Sequence, residues 1–116
     1  MKKKITNEKD AFSYLRDIMY LKDIKKLQNL MDLFFEQLIN SKWNRERIYK
    51  FIFVYVRSNL SEKDYDEISE YAFDYLGDIE SSVIGHCSYD SILKFPDEPE
   101  NKDELIAYVR GDKWRN

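Results

Sequence analysis

The sequence predicts an all-α fold, a single-domain bundle of four to five helices spanning 1–116. Three observations point that way. Apolar residues recur at three- and four-residue spacing, most clearly Ile24, Leu27, Leu30, Met31, Phe34, Phe35 and Leu38. Three Gly and two Pro in 116 residues are too few turn formers for a many-stranded sandwich or barrel. Capping residues also stand ahead of the apolar runs. A chain of this length can bury one modest core unaided, and no repeat or composition shift marks a second domain.

Asn7 is placed to cap a first helix, with Asp10 at its third position and Phe12, Leu15, Ile18 and Met19 as the apolar stripe. Asp23 is placed to cap the second, which runs to about Asn40. Asn44 or Ser41 begins a third, ending at Asn59. Within it, Phe51-Ile52-Phe53-Val54-Tyr55-Val56 is aromatic and β-branched, and by propensity favours a strand. A strand over 48–56 would make the fold α+β. The absence of Gly or Pro nearby favours a central buried helix, apolar nearly all round.

Ser61 with Asp64 comes close to a capping box. Tyr65, Ile68, Ala72, Tyr75 and Leu76 then line a core face, with Gly77 as the stop. Ile79, Val83 and Ile84 suggest a further short helix ended by Gly85, and Tyr89, Ile92, Leu93 and Phe95 one more turn or two. Phe95-Pro96-Asp97-Glu98-Pro99-Glu100 is an extended loop, because each Pro moves its predecessor out of helical geometry. Asn101 with Glu104 caps a closing helix of Leu105, Ile106, Tyr108 and Val109, ended by Gly111.

Composition narrows the setting. One cysteine excludes an internal disulfide and suits a reducing compartment. No run of eighteen apolar residues is present, so no membrane-spanning helix and no membrane partner are expected. Met1-Lys2-Lys3-Lys4 opens like a secretion signal, but Ile5-Thr6-Asn7-Glu8-Lys9-Asp10 is polar where an apolar stretch is needed, which predicts a cytoplasmic protein.

The net charge of −3 conceals a strong asymmetry. Residues 1–60 carry thirteen Lys and Arg against seven acids, whereas 61–104 carry three against fourteen. Eight carboxylates lie between Glu62 and Glu80, with Lys63 the lone base among them. Glu62, Asp66, Glu70, Asp74 and Asp78 follow each other at intervals of four. On one continuous helix they would form a like-charged stripe, each pair costing about 0.2–0.5 kcal/mol. The later acids would also meet the negative end of the helix dipole. A stripe that burdens its own helix is a candidate binding surface. Tyr71, next to Glu70 and four residues past Glu67, adds aromatic contact area. The plainer alternative is that the two halves neutralise each other across the fold and leave a solvated face.

Catalytic chemistry finds little purchase, and an enzyme is not expected. His86-Cys87 is the lone Cys–His pairing, and adjacent side chains seldom reach one another. One His and one Cys do not make a structural zinc site, and the acids lack calcium-loop spacing and its glycine. No glycine-rich phosphate loop occurs, so no cofactor is expected. Nucleic-acid contact would draw on Lys2, Lys3, Lys4, Lys9, Lys22, Lys25, Lys26, Lys42, Arg45, Arg47 and Lys50 around Trp43. A pI near 5.2 argues against that partner.

The stretch Leu60-Ser61-Glu62-Lys63-Asp64-Tyr65-Asp66-Glu67, running into Tyr71-Ala72-Phe73-Asp74-Tyr75-Leu76, in a small helical chain, resembles the acidic helical immunity proteins of bacteria. These include the colicin D and contact-dependent growth inhibition types. The resemblance implies a protein that binds a cognate toxin domain, often a nuclease, and blocks its active site. Ile84-Gly85-His86-Cys87-Ser88 has no counterpart in that pattern. The expected contacts are Glu62, Asp66, Glu67, Glu70, Tyr71, Asp74 and Asp78, with Asp97, Glu98 and Glu100 as a second set. The runner-up is a helical adaptor or regulator acting by protein–protein interaction, or as a homo-oligomer associating through its basic and acidic halves.

Overall fold

The computed structural model describes residues 5–111 and 113–115. The basic start Met1–Lys4, with its three lysines, and Asp112 fall outside the described residues. Six helices follow one another: α1 (Glu8–Met19), α2 (Ile24–Asn40), α3 (45–59), α4 (Glu62–Glu67), α5 (Glu70–Ile84) and α6 (Lys102–Arg110). Single 3₁₀ turns occupy Tyr89–Ser91 and Lys113–Arg115. The described residues contain no strand, so the fold is all-α and the α+β alternative falls.

Local chemistry starts each helix. The side-chain oxygen of Asn7 accepts the Asp10 N–H at 2.9 Å, and that of Asp23 accepts the Lys26 N–H at 3.1 Å. Asn44, and not Ser41, begins α3 by accepting from the Arg47 N–H at 2.8 Å. Asn101 accepts from Glu104 at 3.1 Å.

Helix α3 is composite. Arg45–Lys50 and Arg57–Asn59 are α-helical, while Phe51–Val56 between them is a π-helix. Its i→i+5 bonds admit an extra residue per turn. Phe51, Ile52 and Val56 are thereby buried together, although Phe51 and Val56 stand five apart. Phe51 meets Trp43 edge-on at 5.7 Å and Phe34 at 6.2 Å. Val54 corrects the expectation of a helix buried all round, since it is 58% exposed.

The main core gathers Leu15, Met31, Phe34, Phe35, Ile48 and Val83 with these rings. A smaller cluster of Ile92, Leu105 and Val109 lies under α6.

One helix end departs from expectation, and α2 reaches its expected end at Asn40 through a left-handed lysine. Gly77 does not stop a helix; it sits inside α5, where an added Cβ would meet nothing within 4 Å. The stop is Gly85, left-handed at φ 80°, whose N–H and that of His86 both donate to the Ser81 carbonyl. A Cβ at Gly85 would lie 2.8 Å from Val109 Cγ1. Helix α2 closes with the equivalent motif, but Lys42 takes the left-handed position at φ 74°. There the Trp43 N–H reaches the Leu38 carbonyl at 3.0 Å and the Lys42 N–H reaches Ile39 at 3.1 Å. Burial of Trp43 just beyond supplies the apolar contact that accompanies such a turn.

Candidate functional site

The acidic segment 62–78 is carried by two helices. Ser61 opens α4 with a reciprocal capping box: its Oγ accepts the Asp64 N–H at 3.1 Å, and Asp64 Oδ2 accepts the Ser61 N–H at 2.9 Å. Ile68 is extended and buried, and Ser69 starts α5 by accepting the Ala72 N–H at 3.3 Å. The expected single stripe is therefore divided. Glu62 and Asp66 lie on α4; Glu70, Asp74 and Asp78 lie on α5.

This division corrects the electrostatics as well. Glu62 falls in the first turn of α4 and Glu70 in the first turn of α5, where the dipole favours negative charge. Asp74 and Asp78 are interior to α5, which ends at Ile84 and not at Gly77. The like-charged spacing persists within each helix, but the dipole no longer opposes it.

Helix α5 buries Ala72, Leu76, Ile79 and Val83 and turns Glu70, Tyr71, Asp74 and Asp78 to solvent. Tyr71 is 60% exposed. Tyr65, expected in the core, is 49% exposed, and its ring stacks on Phe73 at 5.5 Å across the break between α4 and α5. It belongs to the face and not to the interior. Tyr75 ties α5 to α2 by donating to Asp32 at 2.6 Å. Burial, and then that hydrogen bond, push its phenol up to about 12.

Neutralisation is sparse. Glu67 has Lys63 at 3.9 Å on its own helix. Among the described residues, Glu80 and Glu98 are the two acids of 61–104 that pair with bases of the first half, through Arg57 and Arg45. Glu62, Asp66, Glu70, Asp74 and Asp78 are exposed and have no ion-pair partner among the described residues. Among the described residues, ion pairing across the fold does not account for this face.

Two acids turn inward. Asp64 is 5% exposed, and its Oδ1 accepts the Tyr20 hydroxyl at 2.6 Å. That bond, with the Ser61 N–H, holds the Asp64 carboxyl below the usual carboxylate range, and it pushes the Tyr20 phenol up to about 12. Glu98 was expected as a contact on an exposed loop. Its side chain is 8% exposed and clamps Arg45, itself 1% exposed. Arg45 Nε donates to Glu98 Oε2 at 3.0 Å and Nη2 to Oε1 at 2.8 Å, while Nη1 donates to the Val83 carbonyl at 2.7 Å. Nη2 also donates to the Leu93 carbonyl, and the guanidinium lies 4.6 Å from the Phe95 ring. Glu98 is thus part of the interior.

Asp97 and Glu100 remain exposed. Asp97 lines a cleft of about 270 Å³ with Trp43, Phe95, Tyr108 and Trp114, and no residue of α4 or α5 shares it. The structure does not bring the two expected contact sets into one cleft.

The sequence places Asp64 in the capping box with Ser61 and Arg45 among the basic candidates, but shows the burial of neither. Arg45 carried no local signal. His86 is exposed and the Cys87 thiol half-buried against the small cluster. Among the described residues no group of three or more His, Cys, Asp or Glu is placed to hold a metal ion. No helix among them is long and apolar enough to cross a membrane.

The fold is all-α, and Glu62, Asp66, Glu70, Tyr71, Asp74 and Asp78 are exposed on it. No protein family, curated protein or solved structure matches the chain.

Proposed function

We propose that this protein is a cytoplasmic immunity protein that binds a cognate bacterial toxin domain, of nuclease type, and occludes its basic active site. One observation carries the proposal: Glu62, Asp66, Glu70, Asp74 and Asp78 project outward without ion-pair partners among the described residues, beside an exposed Tyr71. A nuclease cleft is basic because it holds phosphates. Carboxylates at four-residue spacing offer negative charge at repeated positions, and tyrosine rings offer contact area at low entropic cost. Complementary charge also steers the encounter, raising the association rate at low salt. Inhibition is by occlusion and involves no covalent step. Asp97 and Glu100 lie outside this face and are secondary contacts in the proposal; Glu98 is not a contact.

The test is capture of a basic partner from the native host at low salt, followed by titration of the purified partner. Wild-type protein is expected to bind stoichiometrically and suppress the partner's nuclease activity. The double substitution Glu70→Lys with Asp74→Lys is expected to weaken binding by several kcal/mol, on the order of a thousandfold. Equal affinity in that variant would remove the face from the proposal. Recovery of the bait alone, as an oligomer that salt dissolves, would favour the self-associating adaptor.

A further inference from the structure

Helix α4 is six residues long and lies between two extended residues, Leu60 (φ −70°, ψ 131°) and Ile68 (φ −70°, ψ 136°). A helix of this length has no stability of its own and exists only while docked. Yet it docks through little. Glu62, Lys63, Asp66 and Glu67 are exposed, and Asp64 is the buried residue within it.

Few bonds hold it to the rest of the molecule. The Tyr20 hydroxyl donates to Asp64 at 2.6 Å, Lys22 Nζ donates to the Glu67 carbonyl at 3.3 Å, and the Tyr65 hydroxyl approaches the Arg57 carbonyl at 3.5 Å. The Tyr65 ring adds its stack on Phe73. Of the three hydrogen bonds, the one from Tyr20 is short, charge-assisted and least exposed. An open polar cleft already runs between α1 and α4, lined by Arg16, Asp17, Tyr20, Lys63, Asp64 and Glu67. Arg16 and Lys63 are the bases that line it, with Asp17 and Glu67 as the other acids, and neither base is hydrogen-bonded or ion-paired to Asp64.

We infer that α4 is a latched arm, which undocks from α1 and unwinds between Leu60 and Ile68 while the rest of the fold stays closed, with the Tyr20–Asp64 hydrogen bond as its latch. Ile68 is buried and stays with α5. Opening parts Glu62, Asp66 and Glu67 from Glu70, Asp74 and Asp78, so the latch decides whether the two groups of acids present one surface. The inference rests on the docking of α4 and stands whether or not that surface meets a basic partner.

Amide hydrogen exchange on the full chain tests it. Tyr20→Phe removes the latch donor and leaves the capping box intact; Asp66→Asn, on the same helix but exposed, is the control. Tyr20→Phe is expected to speed exchange at residues 64–68 by roughly tenfold or more, with α1, α2 and α5 unchanged. Asp66→Asn should leave all of them as in the wild type. Exchange at 64–68 that is unmoved by Tyr20→Phe, or that rises equally through α1, α2 and α5, would overturn the arm. Partner affinity, measured separately, bears on the proposed function and not on the arm, which exchange alone decides.

Discussion

The loop at 97–100 and the helical segment at 62–78 are both rich in carboxylates, and each divides them between the interior and solvent. In the loop, Glu98 folds inward onto Arg45 and leaves Asp97 and Glu100 outside. On the helices, Asp64 folds inward onto Tyr20 while five others stay outside without ion pairs among the described residues. What separates the inward acids from the outward ones is a donor already waiting in the interior. A buried base or hydroxyl converts a carboxylate into a structural strut, and its absence leaves the group for solvent or for another molecule.

The largest expected effect comes from breaking the inward side. Glu98→Ala leaves the Arg45 guanidinium buried and uncompensated beneath Phe95, and should cost about 3–5 kcal/mol. Urea denaturation would measure it, against a total stability of roughly 5–15 kcal/mol for a domain. A loss below 1 kcal/mol would mean that the pair is not the strut its geometry suggests.

A middle-sized effect belongs to Asp64. Because its folded pKa is depressed, it contributes stability above its unfolded pKa, near 3.9, and that contribution is lost as pH falls through the folded value. Asp64→Asn should therefore cost about 1–3 kcal/mol at neutral pH, with the deficit shrinking below about pH 4. Glu8 is also held low by its hydrogen bond to Arg47 and keeps the same sign of dependence in both proteins, so the difference between them isolates Asp64. Unfolding midpoints of the two proteins from pH 7 downwards would show a constant gap if Asp64 carried no such linkage.

The smallest effect sharpens the outward side. Glu70→Lys with Asp74→Lys gives up a favourable first-turn charge and leaves positions 70 and 74 like-charged, but turns the repulsive Asp74–Asp78 pair into an attractive one, so stability should stay within about 1 kcal/mol of wild type. Thermal unfolding would check it. A cost matching that of Glu98→Ala would show that the face is committed to the fold.

Most of the fold was legible because its signals are local. Asn7, Asp23, Asn44, Ser61 and Asn101 each cap the residue three positions ahead, and any such side chain can be read in place. Glycine was a poorer guide. Gly77 passes through a helix, Gly85 ends one, and Lys42 fills the position where glycine is usual. What separates these three is the packing beyond them: Val109 against Gly85, buried Trp43 after Lys42 and open space at Gly77. The candidate face was partly legible, since exposure of Glu70, Tyr71, Asp74 and Asp78 follows from helical period. The inward turns of Asp64 and Glu98 were not, because their partners lie 44 and 53 residues away in the chain. The strand-like propensity of Phe51–Val56 was real, but its bulky side chains found room in a widened helix.

That widened helix has a consequence for how the chain tolerates changes in length. A residue removed from α2 would turn every later side chain by about 100° and carry Leu38 off its stripe. The same removal inside 51–56 meets a segment holding a surplus residue, which could close to ordinary helical winding while Arg45 on one side and Leu60 on the other kept their places. The slack of this molecule is stored at the middle of its most aromatic helix, where a single-codon deletion would ordinarily do the most harm.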